Sequence, residues 1–517
     1  MGLIENLKIA ANRAPDRVAL ASRRNGVSYG VVLRRVQALA EAWRERGMLP
    51  GDRVAWLDVN GQRFYEATFA AAAGGFVLVP LNTRLSATEL HGILALAEPK
   101  LLGGEHSLLD ALGSVDVPRV MRLGGPACEH ERVIAGAQPF RGEAAVADTD
   151  PAHLYFTSGT TGAPRGVVLT HSNIQVHAVA AMAELGLVAS DCWGHFAPMF
   201  HLADAWATVA VTLAGGRHVF VPRFGPAHVL DVMESEEVSI TNLVPTMLNA
   251  LVQDPSLHKR SFPRLRRVLS GGAPIAPALV RKVMDGFGCE YVNTYGMTET
   301  SPYLTLSLPT QAMQDLSPEE QFAQRARTGR PFASVELRVV RPDMSPVAAD
   351  DVEVGEIQVR GPTVTPGYWR NPEATSAAFT PDGFLRTGDL ARINAFGSVL
   401  IVDRMKDVIN TGGEKVYTTE VEARLLAHSA VAECVVLGMP SEQWGEEVHA
   451  VLVLKSGCDV TAEELREHCR ATLSRWKVPK AIHTVLELPR TGSGKLSKRL
   501  VRDLLEKGGG SGSASQL

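Results

Sequence analysis

The chain reads as an α/β protein: a large N-terminal domain of parallel-sheet α/β subdomains with a small β-barrel, then a C-terminal α+β domain. Three observations predict this. Buried-looking apolar runs alternate with helical patterns from Tyr29 to Ser270. Near residue 330 the texture turns to short strand-like runs, and a new unit begins near Asp403. A length of 517 residues, 45% hydrophobic and 21% charged, is enough for two or more domains with sizeable cores. The predicted boundaries are 1–403 and 404–507, with a flexible tail over 508–517.

Taken in order, Tyr29, Val32, Leu33, Val36, Leu39, Ala40 and Trp43 follow helical spacing. Gly47 ends that helix, and Pro50-Gly51-Asp52 turns the chain into a buried strand, Val54 to Leu57. A small-residue helix over Ala67–Ala73 leads to a second buried strand, Phe76 to Pro80. Strands are predicted again at 167–170, 218–221 and 267–270, with an Ala-rich helix over 171–187. Such alternation argues for a largely parallel sheet. The runs 335–339, 355–359 and 398–402 predict the small barrel. Beyond 403, helices at 419–428 and 462–474 and strands at 432–438 and 448–454 make up the last domain.

Composition excludes some functions. A net charge of −4 gives no basic surface for nucleic acid or an anionic membrane. No window of 18 apolar residues predicts a membrane span, and no His/Cys cluster has metal-ligand spacing. Six scattered cysteines without a C-x-x-C pair suggest reduced thiols and a cytoplasmic protein. The final Ser515-Gln516-Leu517 resembles a peroxisomal signal with its central Lys replaced, which is the weaker reading of the Gly/Ser tail.

The most informative stretch is Thr157-Ser158-Gly159-Thr160-Thr161-Gly162-Ala163-Pro164-Arg165-Gly166, directly after the apolar run 154–156. It concentrates backbone N–H groups and hydroxyls with little side-chain bulk and places a cation at its exit, as a phosphate chain requires. It is not a Walker A loop, because no Gly-Lys-Ser/Thr closes it. Downstream follow Ser270-Gly271-Gly272-Ala273-Pro274, where small residues let a flat base or an acyl chain approach the backbone, and Asn293-Thr294-Tyr295-Gly296-Met297-Thr298-Glu299-Thr300. Next come Arg386-Thr387-Gly388-Asp389, Asp403-Arg404-Met405-Lys406-Asp407, Thr411-Gly412-Gly413-Glu414 and Thr491-Gly492-Ser493-Gly494-Lys495.

In this order the motifs resemble the adenylate-forming superfamily over nearly the whole chain, most of all its fatty acid–CoA ligases. One departure is Arg165, where the family usually has lysine; a planar fork replaces a point charge. The resemblance implies that Tyr295 lies against adenine with Asn293 and Thr294, and that Thr298 meets the α-phosphate. Glu299 and Thr160 would hold Mg²⁺, Asp389 and Arg404 the ribose, and Lys495 would stabilise the adenylation transition state. His201 would flank the acyl carboxylate, Lys406 would be the hinge of a mobile C-terminal domain, and Gly412-Gly413 would line the pantetheine tunnel. The implied activity is acid:CoA ligation with ATP, Mg²⁺ and coenzyme A, a fatty acid being the favoured monocarboxylic acid. Aryl acids, loading of a carrier protein, and an inactive nucleotide-binding scaffold stay open, as does a homodimer.

Overall fold

The computed structural model describes residues 2–21, 26–125, 128–158, 164–490 and 496–508, without the side chains of 158, 507 and 508. The chain forms two compact units. The first comprises Met1–Leu337, Gln358–Arg386 and Phe396–Val399, and the second Arg338–Ile357, Thr387–Ala395 and Leu400–Leu517.

The first unit contains two sheets. In the six-stranded one the order is Val120–Leu123, Leu101–Glu105, Arg53–Leu57, Val77–Pro80, Pro151–Ser158, Pro164–Thr170. Its pairings are parallel until the last, an antiparallel hairpin. The nine-stranded sheet has a parallel centre: Glu290–Gly296, Arg267–Gly271, Ile240–Asn242, Cys192–His195, Arg217–Phe220 and Val18–Ala21. Antiparallel strands flank it: Tyr303–Leu306 and Arg330–Pro331 on one side, Val27–Ser28 on the other.

Strand alternation decides which residues meet which layer. Trp193, Ile240, Leu269 and Val292 join the core beneath the helices His171–Glu184 and Leu202–Ala214. Their neighbours Cys192, Val268 and Tyr291 join the opposite core, under Pro226–Ser235 and Pro277–Phe287. The strands are buried on both faces, which is why they read as continuous apolar runs.

One expectation is corrected. The strands Glu336–Val340, Gly355–Arg360, Leu385–Ile393 and Val399–Arg404 form a four-stranded sheet in that order. Among the described residues no pairing closes it into a barrel. Short alternating strands have the same sequence texture in either case.

In the second unit, the long hairpin Val431–Ser441 and Gly445–Leu454 carries Ala481–Thr484 in parallel and the small hairpin Ile409–Thr411, Glu414–Val416. Val436 and Leu452 face Val421 and Leu465 on one side; Val435 and Leu437 face Leu488 and Val501 on the other.

Candidate functional site: a phosphate hairpin and an adjoining carboxylate

Of the glycine-rich run, Thr157 and Ser158 end one hairpin strand and Pro164 and Arg165 begin the next, with Thr157 opposite Arg165 and Ser158 opposite Pro164. Gly159, Thr160, Thr161 and Gly162 lie outside the described residues, as does Lys495. Gly166 accepts a backbone hydrogen bond from Trp369 N (2.7 Å), and Val168 N donates to Gly367 O (3.1 Å). The segment 363–369 is thereby tied along the hairpin. A Cβ on Gly166 would approach the Phe156 ring at 3.1 Å and Trp369 Cβ at 3.2 Å, so glycine suits this close approach.

The same segment reaches the Glu299 motif. Thr365 N donates to Glu299 O (2.8 Å), and the Tyr368 hydroxyl donates to Glu299 Oε1 at 3.0 Å. The guanidinium of Arg165 sits over the Tyr368 ring, 5.6 Å from its centroid, within cation–π range. Burial, reinforced by the Glu299 carboxylate, pushes the Tyr368 phenol far above its usual range, so it stays a neutral donor. Arg165, Tyr368 and Glu299 thus form a cation–phenol–carboxylate row starting at the hairpin.

Glu299 is 7% exposed. Among the described residues no three His, Cys, Asp or Glu side chains are grouped to hold a metal. A single carboxylate fits Mg²⁺, which commonly takes one or two carboxylates and completes its shell with phosphate oxygens and water.

Thr298–Thr300 form a short 3₁₀ turn after the strand ends at Gly296. A Cβ on Gly296 would lie 1.9 Å from Pro302 O, so only glycine fits. Met297 is half-buried and Tyr295 is buried. The Asn293 amide donates to Ala326 O (2.9 Å) and Arg327 O (3.1 Å), and Thr294 Oγ1 donates to Ser270 O (3.1 Å). Gly271 pairs with Thr294, while Gly272 and Ala273 are exposed just beyond the strand.

His201 is half-buried at the N-terminus of the helix Leu202–Ala214. The segment leading to it is clamped by Asn60, whose Nδ2 donates to His195 O (3.0 Å) and Ala197 O (2.8 Å) while Oδ1 accepts from Met199 N (2.8 Å). The helix is anchored by a fully buried chain: Asp204 Oδ2 to His195 Nδ1 (2.6 Å), His195 Nε2 to His218 Nδ1 (3.0 Å), and His218 Nε2 to Thr212 Oγ1 (3.0 Å).

In the second unit, Arg404 Nε lies 3.2 Å from Asp389 Oδ1, and Asp389 N donates to Thr387 Oγ1 at 3.1 Å. The neighbouring Asp403 is buried; its Oδ1 accepts from Arg404 N (2.7 Å) and its Oδ2 from Thr418 Oγ1 (2.8 Å). Lys406 is exposed in a 3₁₀ turn, Met405–Asp407. Gly412 and Gly413 form a two-residue hairpin turn with φ of 59° and 88°, the left-handed values such turns demand. Trp444, 40% exposed, covers this turn: a Cβ on Gly412 would come within 2.9 Å of its ring.

Sequence reasoning missed Tyr368, Asn60 and the Asp204 chain. A Gly-Tyr-Trp triplet at 367–369 and isolated polar residues carry no periodic or spacing signal.

The AMP-binding enzyme family matches residues 7–369, and the AMP-binding enzyme C-terminal domain matches 420–495. A long-chain-fatty-acid–CoA ligase of Thermus thermophilus is 36% identical, covering 92% of this chain and 90% of that protein. A feruloyl-CoA synthase of Amycolatopsis is 34% identical, covering 95% and 96%. The o-succinylbenzoate CoA synthetase of Bacillus subtilis, solved with its acyl-adenylate intermediate, superposes with a TM-score of 0.86 at 30% identity, covering 96% of this chain and 98% of that one. The chain belongs to the AMP-binding enzyme family of adenylate-forming proteins and is an ATP-dependent enzyme of the acyl-CoA ligase class.

Proposed function

We propose that the chain joins a monocarboxylic acid with no second charged group to CoA in two half-reactions. The observation that carries this reading is the Arg165–Tyr368–Glu299 row beside the phosphate hairpin. The acid, ionised near neutral pH, attacks the α-phosphorus of ATP, and the α–β phosphoanhydride bond breaks to release pyrophosphate. The CoA thiol then attacks the acyl carbonyl, loses its proton, and AMP leaves.

The burden is electrostatic, since two anions must meet. Arg165 and Lys495 supply fixed positive charge, and the loop amides of 159–162 supply donors. Mg²⁺, held by Glu299 with Thr160, would neutralise charge on the phosphates. Thr298 meets the α-phosphate, Tyr295 the adenine, and Asp389 with Arg404 the ribose. The C-terminal domain pivots at Lys406, so that Lys495 serves adenylation and Gly412-Gly413 admits pantetheine.

The expected acyl walls are His201, Ala205, Val244, Thr246, Gly272, Met297 and Tyr303. None is a fixed cation for a second carboxylate, which supports a monocarboxylate. A fatty acid and an aryl acid both meet that condition, and the relatives act on both kinds. No helix among the described residues is long and apolar enough to cross a membrane. The named relatives are bacterial, which weighs against a peroxisomal reading of the tail.

The test is acid-dependent pyrophosphate release with and without CoA. Lys495→Ala should abolish adenylate formation yet leave thioester formation from supplied acyl-adenylate largely intact. Loss of both steps together would refute the division of labour, and absence of pyrophosphate release with every acid would leave the scaffold reading.

A further inference from the structure

The last helix of the second unit, Lys498–Gly508, begins with a cation. A positive charge in the first turn opposes the helix dipole, so something else must favour Lys498 there. Two contacts do. Its ammonium donates to Thr418 Oγ1 and lies 3.3 Å from Glu422 Oε1, both on the helix Thr418–Leu426. Lys498 and Glu422 are half-buried. Glu422 Oε1 also accepts from Val436 N (2.9 Å), which fixes the carboxylate to the long hairpin. Burial raises the Glu422 carboxyl, and the Lys498 ammonium is the charge that opposes this.

From Thr418 the contacts continue to the nucleotide residues. Thr418 donates from both its amide and its hydroxyl to Asp403 Oδ2. Asp403 Oδ1 accepts from Arg404 N (2.7 Å), and Arg404 Nε reaches Asp389 Oδ1 (3.2 Å). Glu422, Lys498, Thr418, Asp403, Arg404 and Asp389 thus form one line of polar contacts inside the second unit. The Thr418 hydroxyl is its central link, spending its one proton on Asp403 and a lone pair on Lys498.

At its other end the line meets the base of the segment that carries Lys495. Residues 491–495 lie outside the described residues, and the two flanks are paired with each other. Arg490 bridges Leu496 in antiparallel register, and Ser497 N donates to Pro489 O (3.1 Å). Arg490 is bound to Glu433 Oε1 (2.5 Å). Lys498 stands three positions after Lys495. One flank is therefore held by Glu433 and the other by Thr418 and Glu422.

We propose that Lys498 is a positioning residue for adenylation: it ties the flank of the Lys495 segment to Asp403 and Arg404, and so sets where Lys495 stands relative to the ribose pair Asp389 and Arg404. This rests on the reading of Lys495 as the adenylation lysine. A group that stabilises moving charge loses much of its effect when displaced by about 1 Å. The run Thr491-Gly492-Ser493-Gly494 has too much conformational freedom to fix a side chain unaided, so the order must come from its anchors. Thioester formation does not use Lys495 and should not depend on them.

The experiment compares wild type, Lys495→Ala, Lys498→Met and Lys498→Arg in the two half-reactions, using whichever of benzoate, hexanoate or palmitate wild type adenylates fastest. Adenylation is read as single-turnover pyrophosphate release with ATP and Mg²⁺, and thioester formation as AMP release from supplied acyl-adenylate with CoA. Lys498→Met should slow adenylation by about tenfold or more and thioester formation by less than about threefold. Lys498→Arg, which keeps the charge and the donors, should recover most of the adenylation rate. A purely structural lysine would lower both steps together, in proportion to the folded fraction. Equal losses, no loss, or an Arg variant as slow as the Met variant would each overturn the proposal. Should Lys498→Met fail to fold, Thr418→Val, which removes the hydroxyl that Lys498 and Asp403 share, decides by the same ratio. If Lys495→Ala slows adenylation selectively and Lys498→Met does not, only the anchor falls. If Lys495→Ala spares adenylation, the reading of Lys495 falls and the anchor with it. If wild type releases no pyrophosphate with any acid, the ligase reading falls as well.

Discussion

Two polar groups lie under the helix Leu202–Ala214, and they differ in one respect. Asp204, His195, His218 and Thr212 pass hydrogen bonds from one to the next with no exposure. Asn242 and Tyr303 are buried there too, but each is held singly: Asn242 through Nδ2 to Ala203 O (2.6 Å), the Tyr303 hydroxyl by Trp206 and Thr294. Burying a polar atom is unfavourable in both places, and the connected chain offsets it most fully. A satisfied network is scaffold, because it holds the helix that carries His201.

The sharpest way to break this contrast is to remove a member of the paired group. Asp204→Ala leaves His195 Nδ1 and Trp193 Nε1, which lies 3.3 Å from Asp204 Oδ1, without their acceptor. Removing one partner of such a buried pair costs about 3–5 kcal/mol. Denaturant unfolding should show that loss. A loss below about 1 kcal/mol, the range of an exposed pair, would mean that the chain does not anchor the helix.

Glu299→Gln ranks next and tests the site rather than the scaffold. The amide keeps the shape and can still accept from Tyr368, but it lacks the charge that holds Mg²⁺. By analogy with loss of one electrostatic stabiliser, kcat should fall about 10²–10³-fold. Stability should change little, and raising Mg²⁺ should recover part of the rate.

A third prediction concerns pH. His177 packs against both Trp206 and Tyr303, and its Nε2 accepts from Tyr303 N at 3.4 Å. Burial lowers its pKa to about 3. In the unfolded chain histidine titrates near 6.5. Between these values the unfolded state binds the extra proton, so stability falls as pH drops from about 6.5 towards 3, by up to about 1.4 kcal/mol per unit. His153, also lowered to about 3 by burial, adds a second such slope. His177→Gln should remove one proton's share of the slope in unfolding measured from pH 7 to 5.

How much of this was legible in the sequence follows from where each signal resides. The nucleotide motifs were readable because glycine is forced there by close approach or positive φ: Gly296 against Pro302 O, and Gly412 with Gly413 in their hairpin turn. Such needs leave contiguous, recognisable runs. The alternation of strands and helices was equally plain, since strands buried on both faces are apolar throughout. Closure of a sheet is another matter, because an open sheet and a barrel share the same period of two, and among the described residues the expected barrel is an open sheet. Tyr368 was invisible for a related reason. It meets Glu299 from 69 positions away, and only the fold brings them together. The same holds for Asn60, which clamps residues up to 139 positions distant.

The smallest predicted effect tests the contrast most directly, because it asks what happens when a singly held hydroxyl is removed. Tyr303→Phe deletes the hydroxyl and keeps the ring among Trp206, His177 and Phe332. If its bonds to Trp206 and Thr294 are weak, its loss ends an unfavourable burial and breaks little. Unfolding free energy should then stay within about 0.5 kcal/mol of wild type or rise by about 1 kcal/mol. A loss of more than about 1 kcal/mol would mean that Thr294 or Trp206 bonds the hydroxyl firmly in solution, and Tyr303 would then belong with Asp204 in the scaffold.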